Sequence, residues 1–499
     1  MLSPGGGRDD TPMVRFFPWP SITGVRGAFL PLCLAMVIAP SAARADDPSR
    51  LPPGRFAIDL FQGPLLAPIS VTGIAGAYAA YAEGISGFVA NAASPGAREP
   101  FSVSDFEIDG SGSISFPISL FENNDFDNSG SLDYDYSNFL YGTFGGILQY
   151  GPFGAGFNAE LQRYSLTDAQ DQKTNVLIGK YHLLGALRVF GDQLVLGGGA
   201  RFATLGIDAP EGTFTMVGAA PELGFLIRPD WQSFRIGGTV RLPVEGVPAP
   251  GLGNGLPVGL SLPGHVVLPW EIEVGLAVQI GPRPLNPVWI DPDQQEREVQ
   301  TSFRLRASER ARRHREELGR IADPVARGVR EREQGAEAAL ALAHEAQEER
   351  RALGALKQER RARYWNWPRE HLLLTAELLV TGAVADGVSI QTFLGQDQPK
   401  SDPGLRDAGS SGASVSFSPR FGVETEPIPD LVHTRFGTYY EPSRFGDRVG
   451  RQHFTFGADL KLFHTTWFGL VPEVIYKIQA TADMAPRYQS VSLGAGVWH

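Results

Sequence analysis

The chain has 499 residues, a formal net charge of −11, 42 % hydrophobic residues, and 59 Gly and 30 Phe against 5 Met. A mean hydropathy of −0.11 and the lack of any internal apolar run of roughly 18 residues exclude a helical membrane protein. The acidic balance argues against a nucleic-acid partner, and the Gly and Phe content suits strands and tight turns.

The N-terminus reads as an export signal over residues 1–45. Arg8, Arg15 and Arg26 form a basic leader, Gly27 to Pro40 an apolar core, and Ala43-Arg44-Ala45 a small-x-small cleavage pattern before Asp46. The single cysteine, Cys33, falls inside this signal, so the mature chain is expected to have no thiol chemistry and no disulfide. Residues 46–100 are small, apolar and Gly-rich, with too little charge for a free linker. They carry enough Ala, Tyr and Phe to pack inside a lumen.

From residue 101 apolar and polar residues alternate in segments of about ten. Phe153, Ala155, Phe157, Ala159 and Leu161 alternate with Gly154, Gly156, Asn158, Glu160 and Gln162. Trp270, Ile272, Val274, Leu276 and Val278 alternate with Glu271, Glu273 and Gln279, and Phe454, Phe456, Ala458, Leu460 and Leu462 with Thr455, Asp459 and Lys461. A period of two puts each set on one face of a strand. The spans are 102–117, 138–150, 152–164, 174–190, 193–205, 213–228, 232–244, 265–281, 370–385, 412–425, 431–441, 452–464, 467–480 and 489–498.

Turn lengths alternate as well. Short turns are expected at Gly151-Pro152, Gly191-Asp192, Pro229-Asp230, Pro427 to Pro429 and Thr465-Thr466. Longer loops are expected at 118–137, 165–173, 206–212, 245–264, 386–411, 441–452 and 481–488. Segments long enough to cross a bilayer, a polar face of Gly, Glu and Arg, and alternating loop lengths predict an all-β fold. It is an antiparallel transmembrane β-barrel of about 14 strands, with residues 101–287 giving strands 1–8 and 369–499 giving strands 9–14. On the lipid-facing set, Phe456→Arg is expected to be costly and Thr455→Arg mild. Outer-membrane location follows, with membrane lipid, lipopolysaccharide and the barrel assembly machinery as expected partners. The last strand ends on Val497-Trp498-His499, with its aromatic one position early for an outer-membrane C-terminal signal.

Residues 288–368 interrupt the strand series. They are rich in Glu, Arg, Ala and Leu and predict a charged helical insert on the periplasmic side, broken by Pro324 into helices at about 295–322 and 325–363. A solvated helical hairpin and a partner-binding coiled coil are both open readings. Leu340, Leu342, Leu353 and Leu356 give no sustained heptad. Tyr364, Trp365 and Trp367 are expected to anchor the re-entry into the membrane.

The segment Gly76-Ala77-Tyr78, Ala82-Glu83-Gly84 and Asn91-Ala92-Ala93 resembles the N-terminal hatch of FadL-type long-chain fatty acid transporters, with Ala92 where that family has proline. The resemblance implies a fourteen-stranded barrel plugged by residues 46–100. It also implies passive uptake of hydrophobic small molecules, with Tyr78, Phe88 and Asn91 as hatch and ligand residues. A plugged structural or assembly barrel whose periplasmic helices hold a partner is the alternative.

No metalloprotease, phosphate-loop or nucleophile-elbow motif is present, and His433 and His453 stand alone on or beside strands. No cofactor is expected and the chain is read as no enzyme; an outer-membrane hydrolase, whose triad need not be local in sequence, is the third and disfavoured alternative. Arg201, Arg235, Arg241, Glu271, Glu273, Glu377, Arg435, Asp459 and Lys461 are expected to face the lumen. There they pair and hold the hatch, or an Arg such as Arg201 or Arg435 receives a substrate carboxylate. Asp125, Asp127, Ser129, Gly130 and Asp133 follow calcium-loop spacing, but Tyr136 stands where a bidentate Glu belongs; an acidic surface loop is the plainer reading.

Overall fold

The computed structural model describes residues 54–61, 63–98, 106–118, 125–128, 135–167, 173–209, 212–248, 263–394, 410–446, 449–467 and 471–498. The export signal, Cys33 and Asp46 lie outside the described residues.

The strands are β1 (Ala57–Asp59), β2 (Phe106–Pro117), β3 (Asp135–Tyr150), β4 (Phe153–Thr167), β5 (Lys173–Val189) and β6 (Leu194–Ala209). They continue with β7 (Gly212–Ile227), β8 (Phe234–Arg241), β9 (Val244–Pro248), β10 (His265–Leu268), β11 (Glu271–Ile280) and β12 (Leu372–Thr381). The last are β13 (Gly387–Val388), β14 (Ser416–Ile428), β15 (Val432–Glu441), β16 (Arg451–Trp467), β17 (Val471–Ala485) and β18 (Tyr488–Val497). The helices are α1 (Ile69–Gly73), α2 (Pro292–Arg320), α3 (Pro324–Trp365) and α4 (Ile390–Leu394).

Fourteen strands, β2 to β8, β11, β12 and β14 to β18, form a closed antiparallel barrel. Closure is made by β18 against β2, from Ser490 opposite Pro117 to Gly496 opposite Ser111. The barrel is therefore the expected one. Its outer face carries Phe157, Leu183, Leu223, Val274, Leu276, Phe421, Phe456 and Leu493, all large, apolar and exposed. Leu223 alone is 66 % exposed. So continuous an apolar surface on a closed barrel is the lipid-facing band of an outer-membrane barrel. No described helix is long and apolar enough to cross a membrane.

Several expected boundaries move. The seventh and eighth strands are each interrupted, so β9 continues β8 past Pro243 and β10 precedes β11 across Pro269-Trp270. Proline has no N–H to give a ladder. The carbonyls freed at these breaks, Leu242 O and Pro269 O, both accept from the Arg201 guanidinium. Thr465-Thr466, expected as a turn, belong to β16, where β-branched residues and a Thr465–Tyr476 hydroxyl bond of 3.3 Å sustain the strand through a bulge. Of the expected long loops, 481–488 is a two-residue turn because β17 and β18 pair as far as Ala485 and Tyr488, and within 206–212 strands β6 and β7 pair as far as Ala209 and Gly212. Strands β3 to β7 run 15–17 residues, beyond the roughly nine to eleven that cross a bilayer.

The insert is an antiparallel helix pair. Asp291 caps α2 by accepting from Asp293 N and Gln294 N, with Pro292 in the first turn, where its missing N–H costs nothing. Asp323 does the same for α3 through Val325 N and Ala326 N. The helices start and end within three residues of expectation. Their seam is polar: Arg310 makes a bidentate pair with Glu345 at 2.5 and 2.6 Å, Arg330 meets Glu317 at 2.9 Å, and Arg360 donates to Pro292 O at 2.7 Å. The hydrogen bonds from Arg310 hold the Glu345 carboxyl below the usual carboxylate range. Leu340 and Leu342 point outward, which is why apolar spacing does not reveal this seam. Trp365 is exposed beside Lys461, whose ammonium lies 5.5 Å from its ring.

Thr455 does face the lumen, but it is no neutral site: it is 4 % exposed and donates to Gly73 O at 3.1 Å. An Arg there would displace α1, which corrects the expected mildness. Val274 gives a cleaner test. Val274→Arg is expected to cost about 2–4 kcal/mol in a refolding titration, because the charge meets hydrocarbon near midplane. Leu340→Arg, on the exposed helix, is expected to leave the midpoint unchanged. Replacing residues 292–365 with a short Gly/Ser linker is expected to preserve heat-modifiable migration. Ile280 and Leu372 are already ladder partners, so no barrel pairing is lost.

Candidate functional site

The segment from Gly63 to Arg98 fills the lumen. Its small residues let the backbone turn often, with Gly76 and Gly84 at φ 79 and 61, a region that glycine enters without strain. It contains α1 and two single turns of 3-10 helix at Ile85–Val89 and Ser94–Gly96. The wall glycines explain the Gly-rich polar face of the strands. A Cβ on Gly197 would collide with the Ala92 carbonyl, and one on Gly237 with that of Ala79. Hatch backbone lies directly against wall backbone at these points.

Tyr78, Phe88 and Asn91 are all buried. Tyr78 packs edge-on against Tyr81, ring centroids 5.2 Å apart, and donates to Glu83 O at 3.2 Å. Phe88 sits in an apolar cluster with Ile85, Ala92, Ile147 and Leu184. Asn91 is a fastener. Its amide donates to Ala79 O at 2.7 Å and to Phe225 O of β7 at 2.9 Å, and its side-chain oxygen accepts from Ala93 N. Of the three, Tyr78 lines a cavity. That space, about 510 Å³ and partly open to solvent, lies between the hatch and wall residues such as Arg435, His433 and Lys477. It is lined by hydroxyls and charges rather than by a continuous apolar surface.

The inward charges are paired. Arg201 meets Glu271 at 2.7 Å. Arg241 meets Glu273 at 2.9 Å and donates to Val89 O of the hatch. Arg235 binds Glu83 at 2.7 Å and the Tyr81 carbonyl. Glu377 accepts from Ala79 N at 2.7 Å and from Arg420 at 2.9 Å. Arg435 is held between Glu424 at 2.5 Å and Asp459 at 2.6 Å. Arg201 and Arg435 are thus committed to protein partners, and neither offers a free fork to a carboxylate. Lys461 donates to Asp430 in the neighbouring turn at 2.6 Å.

Toward the long-loop end the lumen changes character. Val176, Ile178, Leu205, Ile207, Phe214 and Met216 form an apolar collar on the wall. The collar is filled by Phe56, Ile58 and Leu60 and by Phe393 of α4. There β1 lies parallel between β10 and β13, and Asp59 is bound by Arg444 at 3.1 Å. His453 is buried nearby between Asp483 at 2.9 Å and Glu441 at 2.6 Å, stacked on Tyr439. Asp125 and Asp127 are buried at the same end, and the Asp125 carbonyl accepts from Arg451. Ser129, Gly130 and Asp133 lie outside the described residues. No group of three or more metal-type side chains occurs among the described residues.

No family model and no curated protein matches the chain. Among solved structures it is similar to the CymD monoaromatic hydrocarbon channel, with 7 % identity, TM-score 0.42, and coverage of 87 % of this chain and 96 % of that one. It is similar to a mutant of the TodX monoaromatic hydrocarbon channel, with 8 % identity, TM-score 0.40 and coverage of 83 % and 95 %. It is also similar to OprD of Pseudomonas aeruginosa, with 8 % identity, TM-score 0.24 and coverage of 79 % and 94 %. These likenesses are of fold alone.

Asn91→Ala is expected to loosen the hatch while leaving the barrel intact. It strips Ala79 O and Phe225 O of a buried donor, a loss of about 1–3 kcal/mol. Hydrogen exchange should rise across residues 76–94, with heat-modifiable migration unchanged.

Proposed function

We propose that the protein is a hatch-gated channel for the passive passage of small, mainly apolar molecules across the outer membrane, closed in this conformation. The observation that carries this reading is the collar. The wall provides an apolar ring at the long-loop end, and the side chains filling it come from short elements, β1 with its flanks and α4, rather than from the wall. A molecule that replaced Phe56, Ile58, Leu60 and Phe393 would meet an apolar lining of the kind ligand sites use. Further passage requires the hatch to shift, and the polar cavity beside Tyr78 marks where it leaves room. Long-chain fatty acids, the cargo implied by the resemblance to FadL-type transporters, fit such a path through their methylene chains.

The second reading, a permanently plugged barrel serving a structural role, is favoured by the density of hydrogen bonds between hatch and wall. The two separate on one experiment. Acids of increasing chain length are titrated against the purified protein in a non-competing detergent. The channel reading expects binding to strengthen by about 0.8 kcal/mol per added methylene until the site is full. Flat affinity, or none, would favour the plug.

A further inference from the structure

Four arginines converge at the short-turn end of the lumen. Arg98, Arg228, Arg235 and Arg283 line a narrow cleft, open to solvent on one side, together with Glu83 and Trp367. Three of them have protein partners. Arg98 pairs with Glu107 at 3.1 Å and lies over the Trp289 ring. Arg235 takes Glu83 at 2.7 Å and Asn286 at 2.7 Å. Arg283 stands 3.7 Å from Glu426.

Arg228 differs. The residue is 5 % exposed, yet among the described residues its guanidinium has no hydrogen-bond acceptor and no carboxylate within ion-pair distance; only its backbone N–H is used, donating to Gln193 O at 2.9 Å. Burial, and then the neighbouring Arg235, push its pKa down to about 10, so it stays cationic at neutral pH. The one carboxylate lining the cleft, Glu83, is already bound to Arg235. Glu83 and Asp192 act on Arg228 only from beyond ion-pair distance, so its N–H donors face the cleft, where an anion would gain more from them than it would at a surface ion pair.

We infer that this cleft is an anion site that receives a carboxylate, with Arg228 as its binding group. A guanidinium presents two parallel N–H donors that match the two carboxylate oxygens. Beside them, Leu285, Pro287 and Trp367 offer apolar surface to the body of the same molecule. The ligand class is an amphipathic monocarboxylate. For that apolar body the inference rests on the channel reading, and it places a head-group station at the end of the lumen opposite the collar.

The test uses the full mature chain in a neutral detergent, titrated calorimetrically with decanoate and with decanol. The unaltered protein is expected to prefer decanoate by about tenfold or more, as a charge-assisted hydrogen-bonded pair implies. Arg228→Gln should abolish the preference and Arg228→Lys should keep part of it, both with normal heat-modifiable migration. Independently of any variant, acetate should displace decanoate and leave decanol binding untouched. Equal affinities for decanoate and decanol, or acetate without effect, would overturn the anion site. Because decanol binding reports the apolar path alone, that outcome leaves the channel reading standing, whereas loss of binding for both ligands removes both.

Discussion

Everything in this molecule follows from one constraint: within hydrocarbon, no backbone N–H or C=O can be left without a partner. The wall meets it by closing β18 onto β2, so no edge strand remains. Closure with fourteen strands creates a second demand. Wall side chains fill a barrel of about eight strands, but not one this wide, so the chain must bring its own filling. The segment from Gly63 to Arg98 is that filling. Its Ala and Gly content is the composition of a chain that must turn repeatedly and touch backbone on several sides.

The inward charges are the next consequence. A hatch made largely of backbone presents carbonyls and N–H groups to the wall, and the wall answers with ions. Arg241 and Arg420 donate to hatch carbonyls, and Glu377 accepts a hatch N–H. Each of these three is held by an ion of opposite sign, Arg241 by Glu273 and Arg420 by Glu377, since an unpaired charge in this setting would be expensive. Arg201 shows how far the arrangement reaches into the wall itself. One guanidinium satisfies Glu271 and the two carbonyls orphaned where the seventh and eighth strands break. Those breaks are what turn β9 and β10 out of simple continuation and make room for β1.

Much of this was legible in the sequence. Alternation with a period of two identified all fourteen barrel strands and the facing of the lumen charges, because one residue of shift would reverse every side chain. Composition already set residues 46–100 apart from a free linker, and their described part from Gly63 to Arg98 is largely buried. What was hidden falls into three kinds. The strand breaks at Pro243 and Pro269 were obscured because alternation continues across them. The polar helix seam was obscured because Arg, Glu and Ala build it where apolar residues were sought. Arg228 was beyond reach because it sits one residue past the end of β7, where alternation no longer says which way a side chain points. Its isolation is a tertiary property, set by which neighbours have already spent their carboxylates on other arginines.

The hatch contacts also bear on how a path could open. More than a dozen hydrogen bonds tie the hatch to the wall, from Ser70 with Gln479 and Gly73 with Thr455 to Arg98 with Glu107. Exchanging each for water costs about 0.5–1.5 kcal/mol net, so expelling the whole segment would cost on the order of 10 kcal/mol and be populated too rarely to support flux. A local shift is far less costly. The stretch from Tyr78 to Asn91 borders the polar cavity, and its ties to the wall run to the side chains of Asp109, Arg235, Arg241, Glu377 and Glu424 and to the Phe225 carbonyl. Releasing those alone disturbs neither α1 nor the Arg98 end. The same stretch carries Glu83, the carboxylate that occupies Arg235 in the arginine cleft. Moving it away would leave two guanidiniums, those of Arg228 and Arg235, facing the cleft without a counter-ion. An arriving carboxylate would then favour the shifted hatch over the closed one, because its binding energy is larger in that state.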